Sequence, residues 1–352
     1  MKTAKIIPIF KSGQKDVFTN YRPVSLLCQF SKILEKIVIK RLDKFIEKFN
    51  LLAEGQYGFR NNRSTSMALL DLMEEITNSI DNKKHMIGVF IDLKKAFDTI
   101  DHSILLKKLE IYGIRGATND WFRSYLTGRN QIVSVKGCAS GKLTSTCGVP
   151  QGSILGPILF IVYINDMCNI SEICKYILFA DDTNIFCSHA NAQQLQENMN
   201  AELLKLKQWF QTNKLSLNIT KTNYMLVGNK KIENPCIQID HQVLTRVEKT
   251  KFLGVTIDDQ MTWKQHIQIV QSKISRILGM MYKTKAFLNS TSLKYLYTSL
   301  ILPHLMYCAE VWGNTYFSNL KCLYLAQKRA LRIIFGINIV IQPNTTFTSV
   351  NF

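Results

Sequence analysis

Apolar and polar positions along the chain follow two kinds of pattern, one typical of β-strands and one typical of helices. The shorter apolar runs predict β-strands. HMIGVFID at 85–92 is rich in β-branched residues, ends in Asp92, and predicts a buried strand. KYILFADDTNIFC at 175–187 places two apolar runs around a pair of aspartates, which predicts a β-hairpin. The stretches at 221–228 and 251–258 are predicted to form further strands.

Apolar residues at helical spacing predict two helices ahead of the first strand. One covers residues 30–49 with Ser31 as its N-cap, and the other covers about 64–80. The glycine-punctuated, basic segment between them is predicted to be a loop. The apolar residues expected on one face of the first helix are Ile33, Ile37, Leu42, Phe45 and Phe49.

More helices are predicted after the first strand. Asp101 is expected to cap one that Gly113 ends, and a turn at 149–153 precedes another. The inward residues of the helix capped by Asp101 are Leu105, Leu106, Leu109 and Tyr112. A later helix is marked by Leu195, Met199, Leu203, Leu206 and Phe210. From Trp263 onward the pattern is helical and basic, so the chain is predicted to be α+β, with helices on a small central sheet.

The charge of the chain suggests a class of partner. Lys and Arg number 44 against 26 Asp and Glu, which gives a formal net charge of +18 spread along the chain. A basic surface attracts polyanions, and nucleic acid is the commonest of these in cells. Charge alone leaves a basic protein without a specific partner as an equally good interpretation.

The cysteines and the apolar runs indicate a compartment. The nine cysteines include no C-x-x-C pair and the histidines stand apart, so no zinc site is indicated. Their spacing shows no disulfide framework, which favours free thiols in the nucleus and/or cytoplasm. No signal peptide is evident, and no stretch approaches the ~18 apolar residues of a membrane span. No membrane is therefore expected among the partners.

The aspartates carry the candidate chemistry. If the hairpin holding Asp181 and Asp182 neighbours the strand that ends at Asp92, three carboxylates converge at one sheet edge. Close carboxylates repel one another, and a divalent cation relieves that repulsion. Mg²⁺ prefers oxygen ligands, and two such ions can clamp an in-line phosphoryl displacement. The alternative is a plain solvated turn, which is the commoner reason for an isolated Asp-Asp pair.

Seven stretches in this order make the chain similar to the reverse transcriptases of non-LTR (LINE-like, jockey-type) retrotransposons. They are NYRPVSLL at 20–27, GQYGFRNNRSTSMALL at 55–70, FIDLKKAFDTIDH at 90–102, GVPQGSILGPILFIVYIND at 148–166, FADDT at 179–183, LSLNITKTNYM at 215–225 and KFLGVTID at 251–258. The resemblance covers nearly the whole chain, and the ordered set is far more specific than any single motif.

The resemblance implies a right-hand polymerase fold with fingers, palm and thumb. Residues 1–85 correspond to the fingers, and 86–258 to a palm with an inserted fingers segment and the primer grip. The reverse transcriptase domain spans about 5–258, and 259–352 corresponds to a helical thumb.

The resemblance also implies catalytic roles. Asp92, Asp181 and Asp182 would bind two Mg²⁺ ions, with Mn²⁺ as an alternative, and Asp182 would contribute least to direct ligation. Lys221 would donate a proton to the departing pyrophosphate. The backbone at Leu93 would help to hold the metal-bound triphosphate.

Residues of the nucleotide site follow from the same resemblance. Phe97 would be a steric gate that excludes a 2′-hydroxyl, although a core phenylalanine after a strand explains it as well. Gln151 and Gly152 would lie at the nascent base pair, with Gly148 beside them. The fingers loop would grip the triphosphate through Arg60 and Arg63. The primer grip would comprise Phe252, Leu253 and Gly254.

Asp98 and His102 also match the family pattern, but turn formation and helix capping explain them equally well. The implied partners are an RNA template, a DNA primer and deoxynucleoside triphosphates, and the sequence leaves the oligomeric state open. The implied activity is RNA-directed DNA polymerisation. One alternative is an inactive, nucleic-acid-binding remnant of such an element, and another is a metal nuclease built on the same carboxylates.

The two ends of the chain differ from the family pattern. Met1 stands where the resembling stretch has Trp, which suggests an internal codon taken as a start. The segment QPNTTFTSVNF at 342–352 does not match a thumb. The polymerase core is therefore expected to come from a shortened or degraded element.

Overall fold

A computed structural model describes residues 2–228 and 235–336. The expectations for Met1 and for 342–352 lie outside the described residues. Contacts divide the chain into a first unit, Met1–Glu248, and a second unit, Lys249–Phe352.

The first unit combines strands and helices. Its described strands are β1 (Thr3–Phe10), β2 (Tyr21–Leu26), β3 (His85–Ile91), β4 (Arg129–Val135), β5 (Cys138–Ala139), β6 (Leu143–Ser145), β7 (Lys175–Phe179), β8 (Asp182–His189), β9 (Asn223–Val227), β10 (Gln238–Ile239), β11 (Gln242–Val243) and β12 (Thr245–Arg246). Its described α-helices are α1 (Gln29–Lys48), α2 (Thr65–Asp81), α3 (His102–Ile111), α4 (Ala117–Leu126), α5 (Gly156–Ile164) and α6 (Ala192–Thr212).

The central sheet has the strand order β12–β9–β3–β8–β7. The strands from β9 to β7 are antiparallel neighbours, and β12 pairs in parallel with β9. In β3, every residue after His85 is buried, as the apolar run predicted. The predicted hairpin is confirmed, since β7 and β8 pair with Phe179 opposite Asp182.

Helices cover the central sheet with apolar side chains. Helix α5 is buried from Ile158 to Ile164, so it has no solvent face. All five residues predicted to mark α6 are buried. The predicted cap Asp101 is confirmed, because its side chain accepts the backbone N–H groups of Ser103 and Ile104. The helix predicted over about 64–80 is capped by Ser64, whose side chain accepts the backbone N–H of Met67.

Helix α1 corrects the sequence prediction. Ser31 lies inside the helix, which begins at Gln29 after Cys28, and its hydroxyl donates to Glu35. The residues of the predicted apolar face that are exposed are Ile33, Ile37 and Phe49, whereas Leu42 is buried and Phe45 half-buried. The buried stripe is displaced because it contains the polar pair Ser31 and Glu35, which a count of apolar residues passes over.

A second sheet was not predicted. In this amino-terminal sheet, β1 pairs antiparallel with β2 and parallel with β4, and β4 also pairs with β5 and β6. Thr3 lies opposite Asn130 in the parallel pair, so the partners are more than a hundred residues apart in sequence. Local periodicity does not reveal such a pairing.

The second unit contains a hairpin followed by helices. The segment 251–258, predicted as one strand, instead contains the end of β13 (Lys249–Phe252), a turn and the whole of β14 (Val255–Asp258), which pair as a hairpin. Leu253 and Gly254 occupy the turn with positive φ angles of 46° and 86°. The described α-helices are α7 (Lys264–Thr284), α8 (Ser290–Leu296), α9 (Leu302–Met306), α10 (Ala309–Trp312) and α11 (Phe317–Phe335).

Across 2–228 and 235–336, no helix combines the length and the apolar character needed to cross a membrane.

His266 is a buried titratable group in the second unit. Its Nδ1 accepts the backbone N–H of Thr256 at 3.2 Å, and its ring packs against Trp312 with centroids 5.3 Å apart. Burial, helped by the positive charge of Lys273, lowers the pKa of His266 to about 4. The folded unit therefore holds this imidazole neutral at neutral pH.

We expect acid to destabilise the fold through His266. Between about pH 6.5 and pH 4 the unfolded chain binds a proton that folded His266 does not, so the free energy of unfolding falls as pH drops. The loss at pH 5 should be on the order of 2 kcal/mol. Urea unfolding of the parent and of His266→Asn, which keeps an acceptor but does not titrate, measures the difference.

The His266→Asn variant should show the smaller loss of stability between pH 7 and pH 5. His304→Asn, in the same unit, controls for the removal of a histidine elsewhere. Equal pH dependence in the parent and His266→Asn would contradict the role given to His266.

Candidate active site

Three aspartates meet at one edge of the central sheet. Phe179 pairs with Asp182, which leaves Ala180 and Asp181 as a two-residue turn, and Ala180 has a φ of 57°. We call residues Ala180–Asp182 the acidic tip. In the adjacent pair of strands Ile91 lies opposite Thr183, so Asp92 leaves β3 beside the start of β8. The sequence prediction that the two strands are neighbours is confirmed.

The electrostatics of Asp182 reflect this proximity. The residue is exposed at the acidic tip, yet partial burial of its carboxyl, followed by the negative charges of Asp181 and Asp92, raises its pKa to about 6. A cation placed here would relieve that repulsion. In the part of the chain that the structure describes, no three or more His, Cys, Asp or Glu side chains form a group that could hold a metal ion. Mg²⁺ does not require such a group, because it takes one or two carboxylates and keeps water and substrate phosphates as its other ligands.

Asn218 holds the Asp92 carboxylate. Its Nδ2 donates to Oδ2 of Asp92 at 2.7 Å, and its backbone N–H donates to the carbonyl of Asp92 at 2.9 Å. The Thr220 hydroxyl donates to Oδ1 of Asn218 at 2.9 Å, which orients the amide. Sequence reasoning missed Asn218, although it lies in the quoted stretch LSLNITKTNYM.

A cleft of about 1130 Å³ opens at this edge. The predicted site residues that line it are Asp92, Leu93, Phe97, Gln151, Gly152, Asp181 and Lys221. Asn218 lines it as well, whereas Asp182 does not, which suits the weaker ligand role expected of Asp182. The ring of Phe97 packs on Phe160 of α5, with centroids 4.6 Å apart.

The loop that carries Gln151 is tied to its surroundings by polar contacts. Gln151 Nε2 donates to Oδ1 of Asp98 at 2.9 Å, and the Gln151 carbonyl accepts the N–H of Ser25 at 2.7 Å. Burial raises the pKa of Asp98, and the bond from Gln151 opposes that rise. Asp98 therefore orients the Gln151 amide in addition to forming its turn.

Glycines allow close approach in this loop. Gly152 has a φ of +110°, and a Cβ there would lie 2.9 Å from the carbonyl oxygen of Ser25. Gly148 has a φ of +78°, and a Cβ there would lie 2.6 Å from the carbonyl oxygen of Asp98. The Gly148 carbonyl lies 2.8 Å from Nε2 of His102, so His102 supports the backbone of the loop.

Glu35 anchors the same loop from α1. Its side chain is 1% exposed, and Oε2 accepts the N–H groups of Ile154 at 2.6 Å and Leu155 at 3.4 Å. Ser31 donates to the other carboxylate oxygen at 3.2 Å. A buried carboxylate with three donors fixes the start of α5 and hence the position of Gln151.

The structure does not bring the two predicted fingers arginines into the cleft. Arg60 Nη1 donates to the carbonyls of Ala53 at 2.7 Å and Gln56 at 3.2 Å. Burial, followed by the charge of Arg63, lowers the pKa of Arg60. The Arg63 guanidinium lies over the Tyr57 ring, 5.1 Å from its centroid. Both arginines therefore contact protein groups of their own loop.

That loop instead supports the acidic tip. The backbone of Tyr57 donates to Leu178 in β7, and Leu178 donates to the carbonyl of Gly55. A Cβ on Gly58 would collide with the backbone nitrogen of Ala180. The stretch GQYG therefore lies along the edge of β7 and limits movement of the turn.

Other basic residues line the cleft, and sequence reasoning did not single them out. They are Lys11, Lys15, Arg22, Lys94 and Lys95. Arg22 is exposed in β2, within the quoted stretch NYRPVSLL, so a signal for it was present. Together with Asp92 and Asp181, these cations give the cleft the mixed charge that a metal-bound phosphate requires.

The predicted primer-grip residues belong to the second unit. Phe252 is buried at the end of β13, and Leu253 and Gly254 form the following turn. The Leu253 carbonyl accepts the hydroxyl of Tyr307 at 2.7 Å.

Comparisons with known proteins agree with the fold and the motifs. A family model described as "Reverse transcriptase (RNA-dependent DNA polymerase)" matches residues 9–257. The chain is 27% identical over 338 residues to the probable RNA-directed DNA polymerase from transposon X-element of Drosophila melanogaster, covering 93% of this chain and 37% of that protein. It is 28% identical over 352 residues to the RNA-directed DNA polymerase from mobile element jockey of the same species, covering 95% of this chain and 38% of that protein. The chain thus spans well under half the length of these relatives.

Solved structures with a similar fold include two telomerases. One is the telomerase of Candida tropicalis in complex with a TWJ fragment of telomeric RNA, with a TM-score of 0.53, 11% identity, and coverage of 95% of this chain and 59% of that chain. The other is the telomerase of Candida albicans in complex with a TWJ fragment of telomeric RNA, with a TM-score of 0.52, 11% identity, and coverage of 96% of this chain and 61% of that chain. The predicted α+β right-hand polymerase fold and the predicted family resemblance are confirmed.

We expect Glu35→Gln to destabilise the chain by about 2–4 kcal/mol. The substitution removes the negative charge that accepts the N–H groups of Ile154 and Leu155, so two charge-assisted hydrogen bonds would be lost. Where the amide NH₂ takes the place of Oε2, it would also meet these N–H groups donor to donor. Urea denaturation checks this, with Glu47→Gln as the matched control because Glu47 is exposed on the same helix. The control should change stability by less than about 0.5 kcal/mol. Equal effects of the two substitutions would contradict the anchoring role.

Proposed function

Because the chain belongs to the reverse transcriptase (RNA-dependent DNA polymerase) family, we propose that it catalyses RNA-directed DNA polymerisation as part of a non-LTR retrotransposon. The observation that carries the proposal is the meeting of Asp92 and the acidic tip at the edge of a basic cleft. Asp92 and Asp181 line this cleft together with several cations, an arrangement suited to phosphoryl transfer.

Reverse transcriptases use divalent metal ions, and we propose two Mg²⁺ ions here, with Mn²⁺ as an alternative. Asp92 and Asp181 would hold them, with a smaller contribution from Asp182, because only the first two line the cleft. When bound, the ions would activate the primer hydroxyl and stabilise charge on the phosphate. Burial, followed by the negative charges of Asp181 and Asp92, raises the pKa of Asp182, and a cation would remove the part that comes from repulsion.

The side chains of the cleft then divide the remaining work. Arg22, with Lys11 and Lys15, would bind the triphosphate, because these cations line the cleft and Arg60 and Arg63 do not. Lys221 would protonate the pyrophosphate leaving group.

Other residues that line the same cleft would recognise the nucleotide. Phe97 would lie under the sugar and reject a 2′-hydroxyl, since its packing on Phe160 limits the retreat of the ring. Gln151, oriented by Asp98, would contact the nascent base pair, and the backbone at Leu93 and Gly152 would approach the substrate.

The partners we propose are an RNA template, a DNA primer and deoxynucleoside triphosphates. The formal charge of +18 supports polyanionic partners, as does the relatives' description as RNA-directed DNA polymerases. We further propose fingers at 1–85, a palm at 86–258 and a thumb at 259–352. In this division Phe252, Leu253 and Gly254 would contact the primer end.

We expect the full chain to extend a DNA primer on an RNA template with Mg²⁺ and deoxynucleotides. Asp181→Asn removes a carboxylate from the acidic tip and should lower the rate at least about a thousandfold. Asp120→Asn is the matched control, since Asp120 is exposed on α4.

The control should extend at the parental rate. No extension by the parent, with primed template still bound by both proteins, would overturn the polymerase proposal and favour an inactive binding remnant. Shortening of the primer in place of extension would favour a metal nuclease.

We expect Arg22→Ala to raise the KM for deoxynucleotides about tenfold, because a charge-assisted contact to the triphosphate would be lost. Arg22→Lys should recover part of the loss. Arg60→Ala should lower stability and leave the nucleotide KM unchanged, since its guanidinium binds the carbonyls of Ala53 and Gln56. Steady-state primer extension over a nucleotide titration measures both, and the opposite pattern would return the triphosphate role to Arg60.

A further inference from the structure

Helix α11 of the second unit carries basic residues and no acidic ones. Over Phe317–Phe335 it contains Lys321, Lys328, Arg329 and Arg332. One face packs into the unit through Leu323, Ala326, Ala330, Ile333 and Ile334, which are buried. That packing occupies the apolar stripe expected of an amphipathic helix, so any large apolar residue on the other face needs a separate explanation.

The opposite face of α11 combines rings and cations. Phe317, Lys321, Tyr324 and Lys328 follow one another at intervals of four, three and four residues, so they form a line along the helix. We call these four residues the aromatic–basic stripe. Phe317 is 65% exposed and Tyr324 is 43% exposed. Leu325, beside them, is also exposed.

The side chains of the stripe contact one another. The rings of Phe317 and Tyr324 have centroids 6.2 Å apart at 59°, and Nζ of Lys328 lies 4.5 Å from the Tyr324 centroid. A cation against one ring and a second ring at its side restrict the rotamers of Tyr324. The stripe is thus partly ordered before any partner binds, which lowers the entropic cost of binding.

The surrounding sequence selects a polyanion as the partner. From 260 to 336 the chain has ten Lys and Arg residues and one acidic residue, Glu310. Such a surface repels cationic partners and attracts phosphates. An exposed aromatic ring adds affinity for a polyanion only if that polyanion also presents flat apolar faces.

Single-stranded nucleic acid meets both conditions. Its bases expose π-faces that stack on aromatic side chains, and its phosphates bind cations, whereas a duplex hides the base faces inside its own stack. We propose that the aromatic–basic stripe binds single-stranded nucleic acid, stacking bases on Phe317 and Tyr324 and binding phosphates through Lys321 and Lys328. This surface is additional to the catalytic cleft of the first unit, and the proposal does not depend on polymerisation.

The test measures binding of unpaired oligonucleotides to the full chain. Fluorescence anisotropy with a 15-nucleotide oligouridine or oligodeoxythymidine compares the parent with a Phe317→Ala/Tyr324→Ala double variant. Loss of the two rings should weaken binding at least about fivefold. The matched control is Phe287→Ala/Tyr295→Ala, which removes two exposed rings of the same unit outside α11 and should bind like the parent.

The location and the chemistry are tested separately. Photo-crosslinking with 5-iodouracil in the oligonucleotide should label the peptide that contains Tyr324. Lys321→Gln with Lys328→Gln should reduce the salt dependence of binding, since two phosphate contacts are lost. A base-paired duplex of the same length should compete poorly for the stripe. The proposal covers single-stranded RNA and DNA alike, so it is supported whether the two oligomers bind equally or one of them binds more tightly.

Four outcomes would overturn it. The ring double variant could bind as tightly as the parent, or crosslinks could fall only outside α11. A duplex could compete as well as a single strand, which would show that phosphates alone are recognised. Finally, polyglutamate could displace the oligonucleotide with the same dependence on the two rings, which would assign the stripe to an acidic protein partner.

Discussion

Repulsion between three aspartates is the constraint on which the rest of the first unit depends. Asp92, Asp181 and Asp182 lie at the ends of neighbouring strands, and burial together with the charges of the other two aspartates raises the pKa of Asp182. A flexible chain would separate these charges in the absence of a cation. The central sheet prevents this, because the β3–β8 and β7–β8 pairings fix the backbone on both sides of the acidic tip.

The elements around the sheet make this edge rigid and shape the cleft beside it. Asn218 holds the Asp92 carboxylate, and Gly58 packs against the backbone of the acidic tip. Glu35 restrains the neighbouring Gln151 loop, because its buried carboxylate binds the backbone at the start of α5. Polar side chains in this unit therefore connect segments that are far apart in sequence, and each connection leads to the cleft.

Much of this arrangement could be predicted from local sequence, and the parts that could not depend on distant contacts. The apolar runs around Asp92 and the acidic tip are evident in the sequence, because the strands that they form are buried in the sheet. Thr3 and Asn130 pair in the amino-terminal sheet, and the segments around them contain no comparable apolar run that would have predicted a strand. The triphosphate role of Arg60 was expected from its motif, but the direction of a guanidinium depends on nearby carbonyls that no spacing rule reveals.

We propose that Asp92 and the acidic tip hold the metal ions, and iron-mediated cleavage would locate those ions in the chain. Fe²⁺ substituted for Mg²⁺ reduces added hydrogen peroxide to hydroxide and hydroxyl radical, and ascorbate returns Fe³⁺ to Fe²⁺. The radicals cut the backbone beside the bound ion, and mass spectrometry locates the cuts. We expect cleavage close to Asp92 and to Ala180–Asp182, suppressed by excess Mg²⁺ and lost in Asp181→Asn. Cleavage elsewhere in the chain, or cleavage at these positions that persists in Asp181→Asn, would contradict it.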